Sequence, residues 1–376
     1  MNMRLCAPCL FGLEGPLSNE LKHMGMKDVM AENGRVRFTG TDLDVAKANI
    51  RSRFAERILV ELGSFKAPTF DELFEGTKKL EWESFIPRDG AFPVKGYSID
   101  SELHSVPDCQ KIIKKSVSVR LGAKYSERWL PETGATYQIQ FSIMKNEVCL
   151  FLDTTGTGLH KRGYRPAQVA APLRETLAAA MVDIAGYRGR GDFADPFCGS
   201  GTIAIEAALA AKGRAPGLLR SFSAQSWGSF GKNIWKNAAE EARAREFNGD
   251  YHIFASDIDE KAVKIAQENA KRAGVEEIIK FSVADAKEFS RKTEGGVIVT
   301  NPPYGERLLD IGAARELTAA FMRSAKRLPG WDIYIISSDE DLEHTVGMKA
   351  QKVRKLYNGM IKCGYYKFTN KPGVRK

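Results

Sequence analysis

From about residue 171 onward, short β-branched segments alternate with amphipathic helical segments, and this alternation constrains the fold more than any other feature. Segments such as HIFASDID and WDIYIISS are typical strands, and the segment KAVKIAQENAKRAG has helical spacing. Strict β/α alternation predicts parallel strands with helices on both faces of the sheet. The last segment, KVRKLYNGMIKCGYYKF, favours a C-terminal hairpin that closes this sheet.

One strand-to-helix turn in this region is rich in glycine. The stretch DFADPFCGSGTIAIEAA predicts a strand, a turn with Gly199 and Gly201, and then a helix. Glycine allows the backbone to bend and a ligand to approach it closely, and the free N–H groups at a helix start favour an anion. No lysine completes a phosphate-binding loop, and Ala204 replaces the third glycine of the dinucleotide fingerprint. The turn therefore predicts a cofactor loop only together with other residues.

Three successive predicted strands end in an aspartate: Asp195, Asp257 and Asp285. The carboxyl ends of parallel strands line one crevice at the switch point of such a sheet. There Asp257 can bind both hydroxyls of a ribose, and Asp285 can accept a hydrogen bond from an adenine amine. An alternative is that each aspartate caps the helix after it. Capping explains any one of these aspartates, but it does not explain why all three occur together with a glycine turn.

These groups describe a ligand with a nucleoside end and an amino-acid end but no pyrophosphate. Carboxylates around the loop would repel a phosphate, whereas Asp195 can lie near a cationic α-amino group. S-adenosylmethionine (SAM) has this chemistry. The residues imply neither a metal ion nor a covalent intermediate.

The fourth strand ends in the sequence NPPY, which starts at Asn301. An exocyclic amine of a nucleobase is a poor nucleophile, and acceptors at its two N–H groups favour a nitrogen with an available lone pair. The side-chain carbonyl of Asn301 and the main-chain carbonyl of Pro302 can be those acceptors, held rigidly by the prolines. Tyr304 offers a ring for an extruded base. The alternative is that NPPY is only a rigid turn.

Methylation of a base carbon generally needs a cysteine nucleophile. No cysteine follows Asn301 in its turn, and Cys198 lies in the glycine loop, where we expect a packing role. These residues therefore favour transfer to an amine nitrogen.

The first 156 residues have a different, mixed pattern. Residues 1–65 follow the order β-α-β-β-α-β, and residues 66–156 add a basic helix over 109–128 and a hairpin near Lys145. A Gly- and Arg-rich connector follows. The expected domains are 1–65, 66–156, 157–170 and 171–376.

Composition narrows the choice of partners. The net charge is +9, and residues 161–376 supply all of it, with 35 Lys and Arg against 26 Asp and Glu. A basic chain favours an acidic partner, with nucleic acid first.

No apolar stretch is long enough for a membrane span, and the N-terminus does not resemble a signal peptide, so we expect a cytoplasmic location. Cys6 and Cys9 form a CxxC without further zinc ligands, which favours buried thiols.

Four motifs carry a family resemblance: DPFCGSGT (195–202), SDID (256–259), VADA (283–286) and NPPYGERL (301–308). They resemble the SAM-dependent N-methyltransferases that modify amino groups of bases. Together with LHKRGYR (159–165), they are similar to the THUMP-domain RNA methyltransferases that make N2-methylguanosine, and most similar to the group acting on bacterial large-subunit ribosomal RNA. The resemblance covers essentially the whole chain.

The resemblance implies a fold of the α/β class. A Rossmann-like methyltransferase domain, with a doubly wound, mostly parallel sheet and an antiparallel C-terminal hairpin strand, follows an α+β ferredoxin-like and THUMP module that binds RNA. Residues 1–65 correspond to the ferredoxin-like piece and residues 66–156 to the THUMP domain.

The resemblance also assigns roles to residues. The implied catalytic residues of the base pocket are Asn301, Pro302 and Tyr304. The implied cofactor-binding residues are Asp195, Cys198, Gly199, Ser200, Gly201, Thr202, Asp257, Asp285 and Asn301. The candidate RNA-binding residues are Lys111, Lys114, Lys115, Arg120, Lys124, Lys161, Arg162 and Arg165. The alternatives are that the helical lysines are only a solvated face, and that Lys161, Arg162 and Arg165 fix the linker.

The function implied is methylation of guanine N2 in structured RNA, with ribosomal RNA favoured over tRNA. The NPPY turn does not specify its base, so a tRNA guanine and an adenine N6 in DNA stay open as substrates. A third possibility is a non-catalytic RNA-binding assembly factor that retains the SAM fold. The sequence leaves the oligomeric state open.

Overall fold

The protein is described by a computed structural model that covers residues 2–165, 173–303 and 310–370. Among the helices of these residues, none combines the length and the apolar composition that crossing a bilayer requires.

The chain forms two compact units, and each is assembled from segments that are distant in sequence. The first contains the residues up to Cys9, Ser18–Leu159 and Arg220–Glu241. The second contains Leu10–Leu17, His160–Leu219 and the chain from Ala242 onward. The four segments expected from the sequence stay a prediction, because these two units follow packing rather than chain order.

The first unit is built on a seven-stranded sheet with the order β2-β3-β1-β4-β7-β6-β5. Its strands are β1 (Met3–Pro8), β2 (Lys27–Glu32), β3 (Arg35–Gly40), β4 (Leu59–Lys66), β5 (Val94–Ile99), β6 (Ile139–Met144) and β7 (Glu147–Asp153). The helices in this part of the chain are α1 (Glu14–His23), α2 (Asp42–Arg51), α3 (Phe70–Lys78) and α4 (Val106–Tyr125). The first six elements have the predicted β-α-β-β-α-β order.

Local sequence signals explain where these helices begin and end. Thr41 and Asp44 form a capping box at the start of α2, in which each side chain accepts a backbone N–H. The basic helix predicted over 109–128 is α4, which begins earlier because Pro107 suits a first helical turn. It ends where Ser126 adopts φ 55°, a left-handed conformation that closes the helix.

The second unit contains a seven-stranded sheet with the order β10-β9-β8-β11-β12-β14-β13. Its strands are β8 (Asp192–Asp195), β9 (His252–Asp257), β10 (Ile279–Val283), β11 (Gly296–Thr300), β12 (Trp331–Ser337), β13 (Lys352–Asn358) and β14 (Ile361–Thr369). The helices in this part of the chain are α5 (Glu175–Ile184), α6 (Thr202–Ala211), α7 (Ile234–Ala244), α8 (Glu260–Ala273), α9 (Ile311–Ala325) and α10 (Leu342–Val346). Most of α7 belongs to the first unit, which contains Arg220–Glu241.

Strand order places the switch point of the second sheet between β8 and β11. The chain adds β9 and then β10 on one side of β8, and it places β11 and then β12 on the other side. These five strands are parallel, and β14 pairs antiparallel with β12. The carboxyl ends of β8, β9, β10 and β11 therefore meet at one edge, where open α/β sheets bind ligands.

Apolar packing holds α9 against this sheet. Ile298 of β11 and Ile333 of β12 are fully buried in one cluster with Phe321 and Met322 of α9. Trp331 belongs to the same cluster and donates its indole N–H to the carbonyl of Thr293 at 3.0 Å. Close packing of this kind fixes the level at which the strands end.

Arg220–Glu241 lies between α6 and β9 in the chain but packs within the first unit. No local sequence pattern predicts this placement. Trp227 stacks on Tyr137 with ring centroids 4.7 Å apart, and its indole N–H donates to the carbonyl of Thr136 at 2.9 Å. Lys47 of α2 forms an ion pair with Glu241 at 2.8 Å. An aromatic residue anchors this segment, so its packing depends on tertiary contacts and not on local pattern.

Candidate functional site

The glycine turn connects β8 to α6 and adopts conformations that favour glycine. Gly199 has φ 49° and Gly201 has φ 84°, both in the left-handed region. A Cβ on Gly201 would lie 2.9 Å from the Cβ of Ala266, so this position also needs a small residue. A Cβ on Gly199 would meet no described atom within 4 Å. The turn thus presents open space beside Gly199, as a loop that lets a ligand approach the backbone would.

All three strand-end aspartates accept a backbone N–H from two residues further along the chain. The distances are 3.3 Å for Asp195, 3.0 Å for Asp257 and 2.9 Å for Asp285. Only Asp285 caps the helical turn that follows it, because α8 is capped by Asp259 and α6 begins at Gly201 without a side-chain cap. The capping alternative therefore does not explain Asp195 and Asp257, and the remaining contacts differ among the three aspartates.

Asp257 also organises the glycine turn. Its second carboxylate oxygen accepts the N–H of Gly199 at 2.9 Å. The turn is held further by the N–H of Cys198, which donates to the carbonyl of Ser256, and by the amide of Asn269, which donates to the carbonyl of Ser200 at 3.0 Å. The end of β9 and helix α8 therefore fix the shape of the loop. Sequence reasoning missed Asn269, because no local signal links it to the turn.

Asp195 is the most perturbed acid at this edge. One oxygen accepts the hydroxyl of Thr300 at 2.7 Å, and the other has no hydrogen-bond partner among the described residues. Burial raises the pKa of Asp195 to about 7, and the charge of Asp257 adds to the rise, while the hydrogen bonds from Thr300 and Phe197 oppose it. A buried carboxylate without a cation favours a positively charged ligand group.

Asn301 follows directly on Thr300, next to the end of β8. Its side-chain Oδ1 is inaccessible to solvent and has no hydrogen-bond partner within the described residues. Pro302 is buried. Tyr304 lies outside the described residues, so its predicted role stays a prediction. Two adjacent strands, β8 and β11, thus each lead to a buried acceptor without a partner in the described residues, on Asp195 and Asn301. Such atoms favour a ligand that donates hydrogen bonds to them.

Cys198 is buried in the glycine turn. Burial raises the pKa of its thiol, and the charges of Asp195 and Asp257 raise it further. A thiolate is therefore disfavoured, and the geometry is consistent with the packing role expected from the sequence.

The linker arginines make buried structural contacts. Arg162 forms an ion pair with Glu206 of α6 at 3.4 Å, with both side chains almost fully buried, and the hydroxyl of Tyr164 donates to the same carboxylate. Arg165 pairs with Glu175 and also donates to the hydroxyl of Thr202 at 3.2 Å. These contacts favour the linker-fixing interpretation for both arginines. Lys161 is exposed, and its phosphate role stays a prediction.

The basic face predicted on α4 divides into half-buried cations, which are held by ion pairs within the fold, and exposed cations. Lys114 lies over the ring of Phe92 and forms an ion pair with Glu132, and Arg120 forms a two-point ion pair with Glu83. These two contribute to the fold of the first unit. Three side chains of the predicted set on this helix are exposed, namely Lys111, Lys115 and Lys124. Of these, Lys111 forms an exposed ion pair with Asp108 at 3.3 Å.

All six cysteines are buried and none forms a disulfide, as expected of reduced thiols. Within the described ranges there is no group of three or more metal-ligating side chains.

Three family models match the chain. The RMKL-like methyltransferase domain matches residues 162–367, the RlmL ferredoxin-like domain matches 4–59, and the THUMP domain matches 67–153.

Two curated relatives match nearly the whole of this chain. The chain is 45% identical to the candidate RNA methyltransferase YpsC of Bacillus subtilis, covering 98% of this chain and 96% of that protein. It is 35% identical to the ribosomal RNA large subunit methyltransferase K/L of Psychromonas ingrahamii over 95% of this chain. The chain spans about half of that second relative, 49% of its length.

Solved structures show the same architecture. SMU.472, a methyltransferase candidate complexed with SAH, is 36% identical with a TM-score of 0.94, and the match covers 99% of both chains. A protein from Listeria monocytogenes, described as a predicted N6-adenine-specific DNA methylase, is 43% identical with a TM-score of 0.93, covering 98% of this chain and 96% of the other.

The fold and the polar edge of the second sheet are those of a SAM-dependent methyltransferase. The family models and the long matches place the chain more narrowly: it belongs to the THUMP-domain RNA methyltransferases with an RMKL-like catalytic domain. The family, the fold class and the cofactor predicted from the sequence are confirmed.

Proposed function

We propose that this protein transfers a methyl group from SAM to the exocyclic N2 of a guanine in large-subunit ribosomal RNA. The observation that carries the proposal is the Oδ1 of Asn301, a buried acceptor at the end of β11 that has no hydrogen-bond partner among the described residues. A buried polar atom of this kind costs about 1–3 kcal/mol unless a ligand satisfies it. The exocyclic amine of a flipped base is a donor that fits it.

The residues around Asn301 would activate the amine by orientation alone. The Oδ1 of Asn301 and the carbonyl of Pro302 accept from its two N–H groups, so the nitrogen lone pair turns out of conjugation with the ring. Tyr304 stacks on the base. SAM supplies an electrophilic methyl group on a sulfonium, and transfer to the amine needs no covalent intermediate with the protein.

The proposed contacts to SAM lie at the same edge of the second sheet, where β8, β9, β10 and β11 end. The uncompensated carboxylate of Asp195 would hold the α-ammonium group of SAM. The loop residues Cys198, Gly199, Ser200, Gly201 and Thr202 would line the amino-acid portion, with Asp257 at the ribose and Asp285 at the adenine. Both latter acids keep lone pairs for a ligand, because a carboxylate accepts about four hydrogen bonds.

The choice of RNA is supported by the matched THUMP domain and by the name of the Psychromonas relative. Because the chain spans only half of that relative, its substrate is carried over here as a proposal. A guanine in tRNA is the second candidate substrate. Similarity to the Listeria protein, described as a DNA methylase, favours an adenine N6 in DNA, and the N-terminal module argues against it. We also place the protein in the cytoplasm as part of the proposal.

The N-terminal module, with proposed boundaries at 1–65 and 66–156, would hold structured RNA through phosphates and shape. The exposed lysines of α4 are the proposed contacts in this module, followed by Lys161 in the linker. The methyltransferase domain proposed for residues 171–376 would then receive the flipped base.

Mass spectrometry of modified nucleosides tests the proposal. We expect N2-methylguanosine to fall at one position of large-subunit ribosomal RNA in a strain that lacks this protein, and purified protein to restore it on that RNA with SAM. Loss of the nucleoside from tRNA, or loss of N6-methyladenine from DNA, would contradict the ribosomal assignment.

Calorimetry separates the enzyme from a non-catalytic assembly factor. An enzyme binds SAM and releases methylated RNA, whereas an assembly factor binds SAM or RNA without turnover. SAM binding with no methyl transfer to any of the three nucleic acids would favour the assembly factor.

A further inference from the structure

The C-terminal hairpin formed by β13 and β14 is strongly cationic. No Asp or Glu occurs after Glu343 in the chain. Residues 345–370 contain six cations, namely Lys349, Lys352, Arg354, Lys355, Lys362 and Lys367. Lys362 forms an ion pair with Glu340 at 3.0 Å, and Lys367 lies 3.9 Å from a carboxylate oxygen of Asp332. The other four form no ion pair with any carboxylate that the structure describes, so they leave uncompensated positive charge.

Strand register places this hairpin at the same edge as the candidate site. Thr300 of β11 pairs with Ile335 of β12, Ile335 with Tyr366 of β14, and Tyr366 with Val353 of β13. Val353 is therefore level with Thr300, three strand spacings or about 14 Å away.

Strand β13 continues beyond that level. It runs in the same direction as β11, because β14 is antiparallel to both β12 and β13. Asn358 lies five residues past Val353, so the hairpin extends roughly 16 Å beyond the edge at which β11 ends. Arg354 and Lys355 lie on this projecting part, beside the edge that carries Asn301.

An exposed ring, that of Phe11, and the half-buried ring of Tyr357 accompany the charge. Phe11 is 56% exposed and packs edge-on against Tyr357, with ring centroids 5.9 Å apart. The ammonium of Lys355 lies 5.3 Å from the centroid of the Tyr357 ring. Met360, at the tip of the hairpin, is 97% exposed. Cations interleaved with exposed rings are the combination that binds the phosphates and bases of single-stranded nucleic acid.

We propose that the projecting part of this hairpin, together with Phe11, is an RNA-binding surface that holds the substrate strand beside the nucleotide to be methylated. Arg354 and Lys355 contact phosphates, and an unpaired base stacks on the exposed ring surface of Phe11 and Tyr357. The inference deepens the proposed function and depends on it for the identity of the nucleic acid.

A second explanation of the same residues predicts a different result. Strand β13 ends the sheet, and cations on an edge strand discourage association with other strands. That role alone would leave RNA affinity unchanged when the charges are removed. An acidic lipid surface is a further partner that cations with exposed apolar groups could bind.

The test compares two triple variants of equal charge in the full-length chain. The hairpin variant is Lys352→Gln, Arg354→Gln and Lys355→Gln. The control is Lys264→Gln, Lys271→Gln and Arg272→Gln, which removes exposed cations from α8, a helix connecting the strands at the opposite end of the sheet. RNA affinity is measured by filter binding to in vitro transcribed large-subunit ribosomal RNA over a salt range of about 50 to 200 mM, and SAM affinity is measured by calorimetry.

We expect the hairpin variant to bind this RNA about tenfold more weakly, with a salt slope shallower by about 1.5–2, since Arg354 and Lys355 are the proposed phosphate contacts and each contact contributes about 0.7–0.9 of a unit. SAM affinity stays unchanged, and the control binds RNA as the unaltered protein does. Tyr357→Ala weakens RNA binding further, whereas Tyr357→Phe retains it, because stacking needs the ring and not the hydroxyl.

Three results would overturn the proposal. The first is an unchanged affinity and salt slope in the hairpin variant, and the second is equal weakening in the α8 control. The third is loss of binding to phosphatidylserine-containing vesicles with RNA affinity retained, which would make the hairpin a lipid-binding surface. If the unaltered protein methylates no guanine but the hairpin variant still loses RNA affinity, the proposed function fails and the RNA-binding surface stands.

Discussion

Two buried carboxylates of the second unit have opposite surroundings. Glu206 accepts from the guanidinium of Arg162 and from the hydroxyl of Tyr164, so a cation compensates its charge. Asp195 has a hydroxyl and a backbone N–H on one oxygen, no partner on the other among the described residues, and the acid Asp257 as its charged neighbour. The first arrangement stabilises a fold, whereas the second costs stability until a ligand supplies the missing charge.

The contrast distinguishes structural from functional polar groups in one small region. Both carboxylates lie within about a dozen residues of each other in the sequence, at the two ends of the segment that contains the glycine turn and the start of α6. What differs is the presence of a compensating cation. Asn301, a neutral amide, adds a further unsatisfied acceptor at this edge, because its Oδ1 is buried without a partner in the described part of the chain.

The largest effect is expected for Asn301→Ala. The change removes the proposed acceptor of the substrate amine, so we expect kcat to fall by about 10²–10³ or more. Losses of this size occur when an enzyme loses one preorganised group that stabilises the transition state. SAM affinity should change little. Single-turnover methyl transfer and calorimetry measure the two quantities. Asn237→Ala, at an exposed asparagine of α7, is the control, and normal turnover by the Asn301 variant would refute the proposed chemistry.

The next largest effect concerns the compensated carboxylate. Arg162→Ala leaves Glu206 buried without its cation, so we expect a loss of about 3–5 kcal/mol in the free energy of unfolding of this region. Hydrogen exchange of the α6 amides measures it locally. Arg188→Ala breaks an exposed pair with Asp183 and should cost about 1 kcal/mol or less. Equal losses in the two variants would remove the distinction between the buried and the exposed pair.

A pH titration addresses the uncompensated carboxylate. The pKa of Asp195 is raised by burial from 3.8 to about 7, so the folded protein binds a proton more tightly than the unfolded chain does. Its contribution to stability is then greatest below about pH 4 and declines as pH rises to about 7. Asp195→Asn removes this pH dependence. We therefore expect the free energy of unfolding of the variant, relative to that of the unaltered protein, to rise by about 4 kcal/mol between about pH 4 and pH 7, at about 1.4 kcal/mol per pKa unit.

Ligand binding provides the second measurement on Asp195. If this carboxylate holds the α-ammonium of SAM, the affinity for SAM should rise with pH as Asp195 loses its proton, and Asp195→Asn should flatten the profile. An equal pH dependence of SAM affinity in both proteins would assign the ammonium to another group.

The smallest effect is expected on α4, where paired and exposed cations can also be compared. Replacing Lys111, Lys115 and Lys124 with Gln should weaken RNA binding and make its salt dependence shallower, since these side chains are exposed. Lys114→Gln and Arg120→Gln should mainly lower stability, because both side chains form ion pairs within the fold. An unchanged salt slope in the first variant would leave the α4 lysines as a solvated face.

Local pattern predicted the elements of the second sheet well, because each strand is a short apolar run bounded by polar turn residues. It predicted the glycine turn as well, because Gly199 and Gly201 both need left-handed backbone. It missed Asn269 and Thr300, which hold the loop and the adjacent strand end, since both act through partners far away in sequence. Two interpretations of Arg162 also remained open until its burial against Glu206 was seen.

The sequence by itself determined the order of strands and helices, the identity of the residues at the strand ends and the family. Periodicity and turn chemistry act over a few residues, so they can be recognised directly in the chain. Tertiary structure decided which polar groups are compensated, because a partner such as Glu206 or Thr300 lies dozens of residues away. It also decided that the cationic hairpin projects past the edge at which Asn301 lies, since only strand register relates β13 to β11.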